Sequence, residues 1–128
     1  MSRAIQITQK SGEWETSELH PGLRWQFSVN TGVTDSNGLS CGYLQIAAGA
    51  ELPLHFHNEQ EIYIITKGNA ELLAAENSTR SVRAGDTVTY QKIVGTASAI
   101  RAAKTLSLSG FSRLIAGRKY AMFSQTLI

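Results

Sequence analysis

The sequence alternates apolar and polar residues in short stretches, and turn-forming residues separate those stretches. Such stretches occupy residues 25–29, 43–47, 61–66, 71–74 and 87–90, with Gly or Asn near their ends. A period of two places every second side chain on the same face of a strand. β-Branched and aromatic residues are frequent, and no long amphipathic helical pattern competes. The pattern predicts an all-β chain, either a sandwich or a barrel.

The pattern is looser in the C-terminal part, where Ala, Ser and Thr dilute the apolar positions. Residues 105–109 and 120–128 can still be drawn as strands. A length of 128 residues suits one hydrophobic core and is too short for two. No internal repeat or linker marks a boundary, so we expect a single domain over residues 1–128.

Charged residues are distributed unequally along the chain. Residues 1–88 contain all ten acids and six cations, a net charge of −4, whereas residues 89–128 contain six cations and no acid. These six cations follow no RNP-like, zinc-knuckle or helical pattern, so we expect no nucleic-acid partner.

Two further features concern the location of the protein. No apolar run approaches the length of a membrane span, and the first residues lack the apolar core of a signal peptide. The single cysteine, Cys41, excludes an internal disulfide framework and fits a reducing compartment. We therefore expect a cytoplasmic protein with no membrane partner.

The densest chemical signal is a pair of histidines followed by an acid. His55 and His57 are two residues apart, so on a strand both imidazoles project from the same face. Glu61 follows after a short turn and can add a carboxylate oxygen from the neighbouring strand. Two nitrogens and one oxygen suit one divalent transition metal, and Fe, Mn, Ni, Co and Zn all stay open.

Tyr63 is the candidate catalytic residue. It lies two residues after Glu61, so it points into the same cavity if Glu61 points towards a metal inside a barrel. A phenol titrates near pH ~10, but a nearby cation favours the phenolate and makes it a usable base. The alternative interpretation is an aromatic side chain that only fills the barrel.

A second motif has a weaker claim to chemistry. Residues 38–42, Gly-Leu-Ser-Cys-Gly, formally match the nucleophile elbow of serine hydrolases, with Ser40 at the nucleophile position. That elbow joins a strand to a helix, whereas this segment lies between a turn and a strand. We interpret the match as coincidental and Cys41 as a small packed residue.

The histidine-rich segment resembles the first cupin motif at every defined position: Gly49, His55, His57, Glu61 and Gly68. The sequence of residues 12–88 as a whole is similar to that of small single-domain bacterial cupins. Among characterised members it looks most like the small dimethylsulfoniopropionate lyases.

The resemblance implies a cupin jelly-roll β-barrel, often a homodimer, with a metal inside and a small-molecule substrate. It carries His55, His57 and Glu61 over as metal ligands and Tyr63 as the base. In such a lyase the metal holds the substrate carboxylate while Tyr63 removes the α-proton, and elimination gives dimethyl sulfide and acrylate. The competing interpretation is a non-catalytic or inactive cupin, either a small-ligand binder or a frameshifted relic.

The second cupin motif is interrupted. After Gly85 the motif has a proline six residues later and then a histidine, the fourth ligand, five residues after that. This chain has Gln91 and Thr96 at those places. A threonine hydroxyl is a poor substitute for imidazole, so three protein ligands are evident, and completion by water lowers the expected metal affinity.

The interruption coincides with the start of the acid-free segment. Reading the last base of each codon with the first two of the next, from Tyr90, permits Pro-Glu-Asn-Cys-Trp-His. The same shifted frame over residues 109–115 permits Trp-Val-Phe-Pro-Thr-Asp. We hypothesise that residues from about 89 onward are an out-of-frame translation of a cupin C-terminus, in which residues 105–109 only partly replace the original closing strands. The alternative is an intact, divergent cupin with a substituted ligand.

Overall fold

The computed structural model describes residues 4–9, 13–29, 38–54, 61–73, 79–89 and 98–113. These residues form strands and turns and contain no helix, which confirms the all-β prediction. The same residues contain no helix long and apolar enough to cross a membrane. The strands are β1 Glu15–Thr16, β2 Leu23–Val29, β3 Leu39–Ile46, β4 Glu51–Leu54, β5 Glu61–Lys67, β6 Asn69–Leu73, β7 Thr79–Arg83, β8 Thr87–Thr89, β9 Ser98–Ala102 and β10 Leu106–Arg113.

The strands form two antiparallel sheets. The six-stranded sheet has the order β1-β2-β3-β10-β5-β8, and the four-stranded sheet has the order β4-β9-β6-β7. Successive strands such as β3 and β4, or β5 and β6, belong to different sheets, so the chain passes repeatedly from one to the other. Both sheets contribute side chains to one buried cluster, which lies between them. The arrangement is a double-sheet barrel.

Alternation in the sequence determines which side chains enter this cluster. On β3, Gly42, Leu44 and Ile46 are buried, while the residues between them are partly exposed. β5 alternates in the same way from Glu61 to Ile65. The hydrophobic core consists of Leu23, Leu44, Ile46, Leu52, Tyr63, Ile65, Ala70, Val82, Val88, Ile100, Ala102, Leu106 and Leu108.

The passage from β5 to β6 needs a glycine. Gly68 is the only residue between the two strands, and its φ of 91° is one that L side chains rarely adopt. A Cβ there would lie 2.5 Å from the carbonyl oxygen of Thr105. The chain can therefore turn from the six-stranded into the four-stranded sheet close beside the start of β10.

The acid-free part of the chain supplies central strands. β9 lies between β4 and β6, and β10 lies between β3 and β5. Ile100, Leu106 and Leu108 are at most 1% exposed. The strand expected at residues 105–109 extends from Leu106 to Arg113, and it occupies the middle of the sheet. The strand expected at residues 120–128 lies outside the described residues.

Candidate functional site

Glu61 and Tyr63 enter the barrel side by side. β5 carries both on its inner face, where Glu61 is 1% and Tyr63 0% exposed. Between and beyond them Ile62 and Ile64, each 38% exposed, occupy the outer face. In the first part of the strand the acid and the phenol thus point into the barrel and two aliphatic side chains point out, whereas farther along Ile65 is buried inside.

The two side chains are hydrogen-bonded to each other. The Tyr63 hydroxyl donates a hydrogen bond to Oε2 of the Glu61 carboxylate. A buried carboxylate is costly unless it is hydrogen-bonded or bound to a cation, so this contact stabilises the charge inside the barrel. On the backbone, Thr89 Oγ1 donates to the Glu61 carbonyl oxygen at 3.1 Å, which attaches edge strand β8 at the same place.

The two predicted histidines, His55 and His57, lie outside the described residues, as do Gln91 and Thr96. β4 ends at Leu54, immediately before the first histidine, and pairs with β9 in the four-stranded sheet. β5, which carries Glu61, pairs with β10 and β8 in the other sheet. β4 is therefore no hydrogen-bonded neighbour of β5, contrary to the expectation that Glu61 lies on the strand next to that of the histidines.

Among the described residues, the barrel interior supplies one side chain of a type that binds divalent cations. The described residues contain no group of three His, Cys, Asp or Glu side chains that could hold a metal ion by themselves. They do contain Glu61, a carboxylate on the inner face of the barrel. Carboxylate oxygen is a ligand for all the metals that two imidazoles would also bind, so this part of the donor set fits such an ion.

The strand register arranges the inner face of the six-stranded sheet in rows across β3, β10 and β5. The row that contains Tyr63 has glycines at its two other positions, Gly42 and Gly110. The row that contains Glu61 has serines at those positions, Ser40 on β3 and Ser112 on β10.

Ser40 is a buried polar residue that the site prediction did not include. Its side chain is 1% exposed, and Oγ has no hydrogen-bond partner among the described residues. The available signal was its spacing, since it lies four residues before Leu44 on a period-two strand and so shares its face. Ser40 also occupies the nucleophile position of the elbow motif. β3 begins at Leu39, however, so no strand-to-helix elbow is present there.

Cys41, the neighbour of Ser40, lies on the opposite face of β3. Burial raises the pKa of its thiol, and a hydrogen bond from the Val29 backbone partly opposes that effect. A thiol with a raised pKa is mostly protonated at neutral pH and is a weak nucleophile. Cys41 is only half-buried on that face, so its interpretation as a small packed residue stays a prediction.

Comparison with known proteins identifies the fold. No protein-family model matches the sequence, and no curated protein matches it. Among solved structures, a cupin 2 conserved barrel domain protein from Salinispora arenicola CNS-205 is 21% identical, with a TM-score of 0.68 over 89% of this chain and 92% of that one. KdgF from Halomonas sp. is 18% identical, with a TM-score of 0.66 over 85% and 94%. Ectoine synthase from P. lautus is 15% identical, with a TM-score of 0.63 over 77% and 67%.

These similarities show that the chain has the cupin fold, and they confirm the predicted jelly-roll barrel. At such low identities they concern the fold alone. The chemistry must therefore be argued from the side chains inside the barrel.

Proposed function

We propose that the protein is a metal-dependent small-molecule enzyme that eliminates dimethyl sulfide from dimethylsulfoniopropionate and leaves acrylate. The observation that carries the proposal is the buried pair of Tyr63 and Glu61, hydrogen-bonded on the inner face of β5. The barrel thus keeps a phenol and a carboxylate together where apolar side chains would stabilise the core more.

His55, His57 and Glu61 are the residues proposed to hold one divalent transition metal. When bound, such an ion supplies a positive charge that favours the substrate carboxylate and the phenolate form of a neighbouring tyrosine. Of the three, Glu61 is the one whose position in the barrel supports the assignment. Its contact with Tyr63 puts the phenol oxygen beside a ligand of that ion.

The proposed reaction is a β-elimination with Tyr63 as general base. The phenolate oxygen takes the α-proton of the substrate, the electrons of that C–H bond form the Cα–Cβ double bond, and the Cβ–S bond breaks. The electron pair of the Cβ–S bond stays on sulfur, so neutral dimethyl sulfide leaves and acrylate remains. Tyr63 then returns its proton to solvent before the next turnover.

The test compares Tyr63→Phe with Tyr43→Phe in protein reconstituted separately with Fe, Mn, Ni, Co and Zn. Tyr43 is a half-buried tyrosine in the same sheet, on the outer face of β3. We expect Tyr63→Phe to lower the rate of dimethyl sulfide release about 10²- to 10⁴-fold, the usual contribution of a general base. Tyr43→Phe should stay within about twofold of the wild type. Headspace gas chromatography measures the release of dimethyl sulfide.

Far-UV circular dichroism of both variants must match the wild type for the comparison to count. Equal rates in Tyr63→Phe and wild type would exclude Tyr63 as the base. Loss of activity in His57→Ala with retained activity in Tyr63→Phe would leave a metal-dependent enzyme that uses another base.

The second candidate is an inactive cupin or small-ligand binder, and the interruption at Gln91 and Thr96 is the observation that favours it. We infer that the frame changes near the Val88 codon, which accounts for both the missing histidine and the acid-free segment. The encoding DNA decides this, because its shifted frame either spells the proline-to-histidine motif or does not. Absence of stoichiometric metal and of turnover in the purified chain would favour the binder.

The outer face of the six-stranded sheet supports a homodimer as the working assembly. Ile62 on β5 lies opposite Phe111 on β10, and both side chains are partly exposed there, at 38% and 41%. Ile64 continues the same apolar face. Contiguous exposed apolar side chains are typical of a surface that another chain covers. Sedimentation equilibrium measures the mass of the assembly directly.

We propose the cytoplasm as the location of the protein. The chain has a single cysteine, which fits a reducing compartment.

A further inference from the structure

Ser40 has a buried hydroxyl that the proposed chemistry does not use. The residue is 1% exposed, and its Oγ has no hydrogen-bond partner in the part of the chain that the structure describes. A buried polar atom without a partner costs free energy, whereas alanine or valine at the same position would not incur that cost. Such an atom therefore needs an explanation, and a bound ligand is one that supplies the missing partner.

The position of Ser40 in the sheet points to the same site as Glu61. β3 places Ser40 on the face that also carries Leu44 and Ile46, which face the barrel interior. In the strand register Ser40 lies opposite Ser112, and Ser112 lies opposite Glu61. Two strand spacings separate Ser40 from Glu61, which is ~10 Å between their backbones.

The row next to that of Ser40 and Glu61 has glycines at two of its three positions. Gly42 on β3 and Gly110 on β10 are the cross-strand positions in register with Tyr63. Neither has a side chain, and beside Gly42 the β2 backbone takes the space that a Cβ would need, which would lie 2.3 Å from the Gln26 carbonyl oxygen. A ligand that reaches both polar residues would lie across β10, between the Ser40 hydroxyl and the Glu61 carboxylate. The ~10 Å between their strands limits such a ligand to a small molecule.

We propose that Ser40 is a substrate-binding residue whose hydroxyl donates a hydrogen bond to a carboxylate oxygen of a small aliphatic acid bound inside the barrel. The inference rests on the proposed function and deepens it, because it adds a hydrogen bond from β3 to the carboxylate that the proposed ion on β5 attracts. A neutral donor suits this place, since it adds no charge to an interior that already contains the Glu61 carboxylate.

The experiment measures acrylate binding to the purified full-length chain by isothermal titration calorimetry, together with KM for dimethylsulfoniopropionate. Ser40→Ala should weaken acrylate binding about tenfold and raise KM by a similar factor, as expected for one hydrogen bond to a charged group, with kcat nearly unchanged. Ser40→Cys, which keeps most of the volume but is a weak donor, should lie between alanine and wild type. Ser109→Ala, a serine on the outer face of β10 in the same sheet, is the matched control.

Stability separates binding from packing. Removal of an unpartnered buried hydroxyl should leave the thermal midpoint of Ser40→Ala equal to or above that of the wild type. Weaker binding in a variant that is no less stable therefore supports the assignment. Acrylate binding in Ser40→Ala within twofold of the wild type would overturn it, and so would a wild type that binds no acrylate. A wild type that binds acrylate through Ser40 but releases no dimethyl sulfide would refute the proposed reaction and leave this inference standing.

Discussion

The inner face of the six-stranded sheet has two unlike ends. Towards one end, Leu44, Leu108 and Ile65 lie in register on β3, β10 and β5, and all three are buried. Towards the other end, the same strands carry Ser40 and Glu61, which are equally buried but polar. Backbone and burial are alike, so the difference lies in the side chains alone.

The comparison distinguishes the side chains that stabilise the fold from those that serve a function. Burial of aliphatic side chains stabilises the folded state and explains the first end without any reference to function. Burial of a carboxylate and an unpartnered hydroxyl lowers stability, so folding does not explain the second end. Substitutions at the two ends should therefore affect different measurements, and three predictions test that separation.

Leu108→Ala tests the apolar end and should have the largest effect on stability. Leu108 is 1% exposed on central strand β10, between β3 and β5, so its truncation leaves a cavity that both neighbours line. We expect the free energy of unfolding to fall by about 2–5 kcal/mol, measured by urea denaturation. Ser109→Ala, on the outer face of the same strand, should change it by less than about 0.5 kcal/mol. A loss below about 1 kcal/mol in Leu108→Ala would mean that this end is not a packed core.

Gly42→Ala tests the row between the two ends. The register between β2 and β3 shifts between Phe27 and Val29, and this irregularity brings the β2 backbone close to Gly42. A Cβ at Gly42 would lie 2.3 Å from the Gln26 carbonyl oxygen, so the backbones must separate. We expect a loss of about 1–3 kcal/mol in the free energy of unfolding, as for an overpacked core.

Ser109→Ala on neighbouring β10 is again the control. Gly38→Ala is unsuitable, because Gly38 has a positive φ that an L side chain rarely adopts. An unfolding free energy for Gly42→Ala equal to that of wild type would show that β2 can move away from β3 freely. The glycine row would then accept a side chain, and it would not separate the apolar end from the polar end.

The sequence predicted the fold well because alternation is a local signal. β2, β3, β5, β6, β8 and β10 all overlap stretches in which apolar residues recur at every second position. β1, β4, β7 and β9 were not predicted. For β9 the reason is that Ser98–Ala102 contains one large aliphatic residue, Ile100, and that its place between β4 and β6 depends on pairing with strands far away in the sequence. Long-range pairing is absent from local periodicity, so short central strands of small residues are missed.

The candidate site was predicted in part for the same reason. Glu61 and Tyr63 are two residues apart on one strand, so their shared face followed from periodicity, and their contact is observed. Ser40 and Glu61 are distant in sequence, and their place in one row of the sheet follows only from the pairing of β3 and β5 with β10. The roles of His55 and His57 stay predictions, because both residues lie outside the described part of the chain.

Glu61→Gln tests the polar end and should have the smallest effect on stability. The glutamine side-chain oxygen can still accept the hydrogen bond from the Tyr63 hydroxyl, and the substitution removes a charge that is costly to bury. We therefore expect the metal-free protein to change its free energy of unfolding by less than about 1 kcal/mol, because the lost charge–dipole contact and the avoided desolvation oppose each other. Metal content, measured by mass spectrometry after reconstitution, should in contrast fall well below one ion per chain, since a neutral amide is a weaker ligand than a carboxylate. Glu71→Gln, an exposed acid on the four-stranded sheet, should alter neither quantity. Full metal occupancy in Glu61→Gln would remove Glu61 from the ligand set, and a loss of several kcal/mol would show that the polar end also holds the fold together.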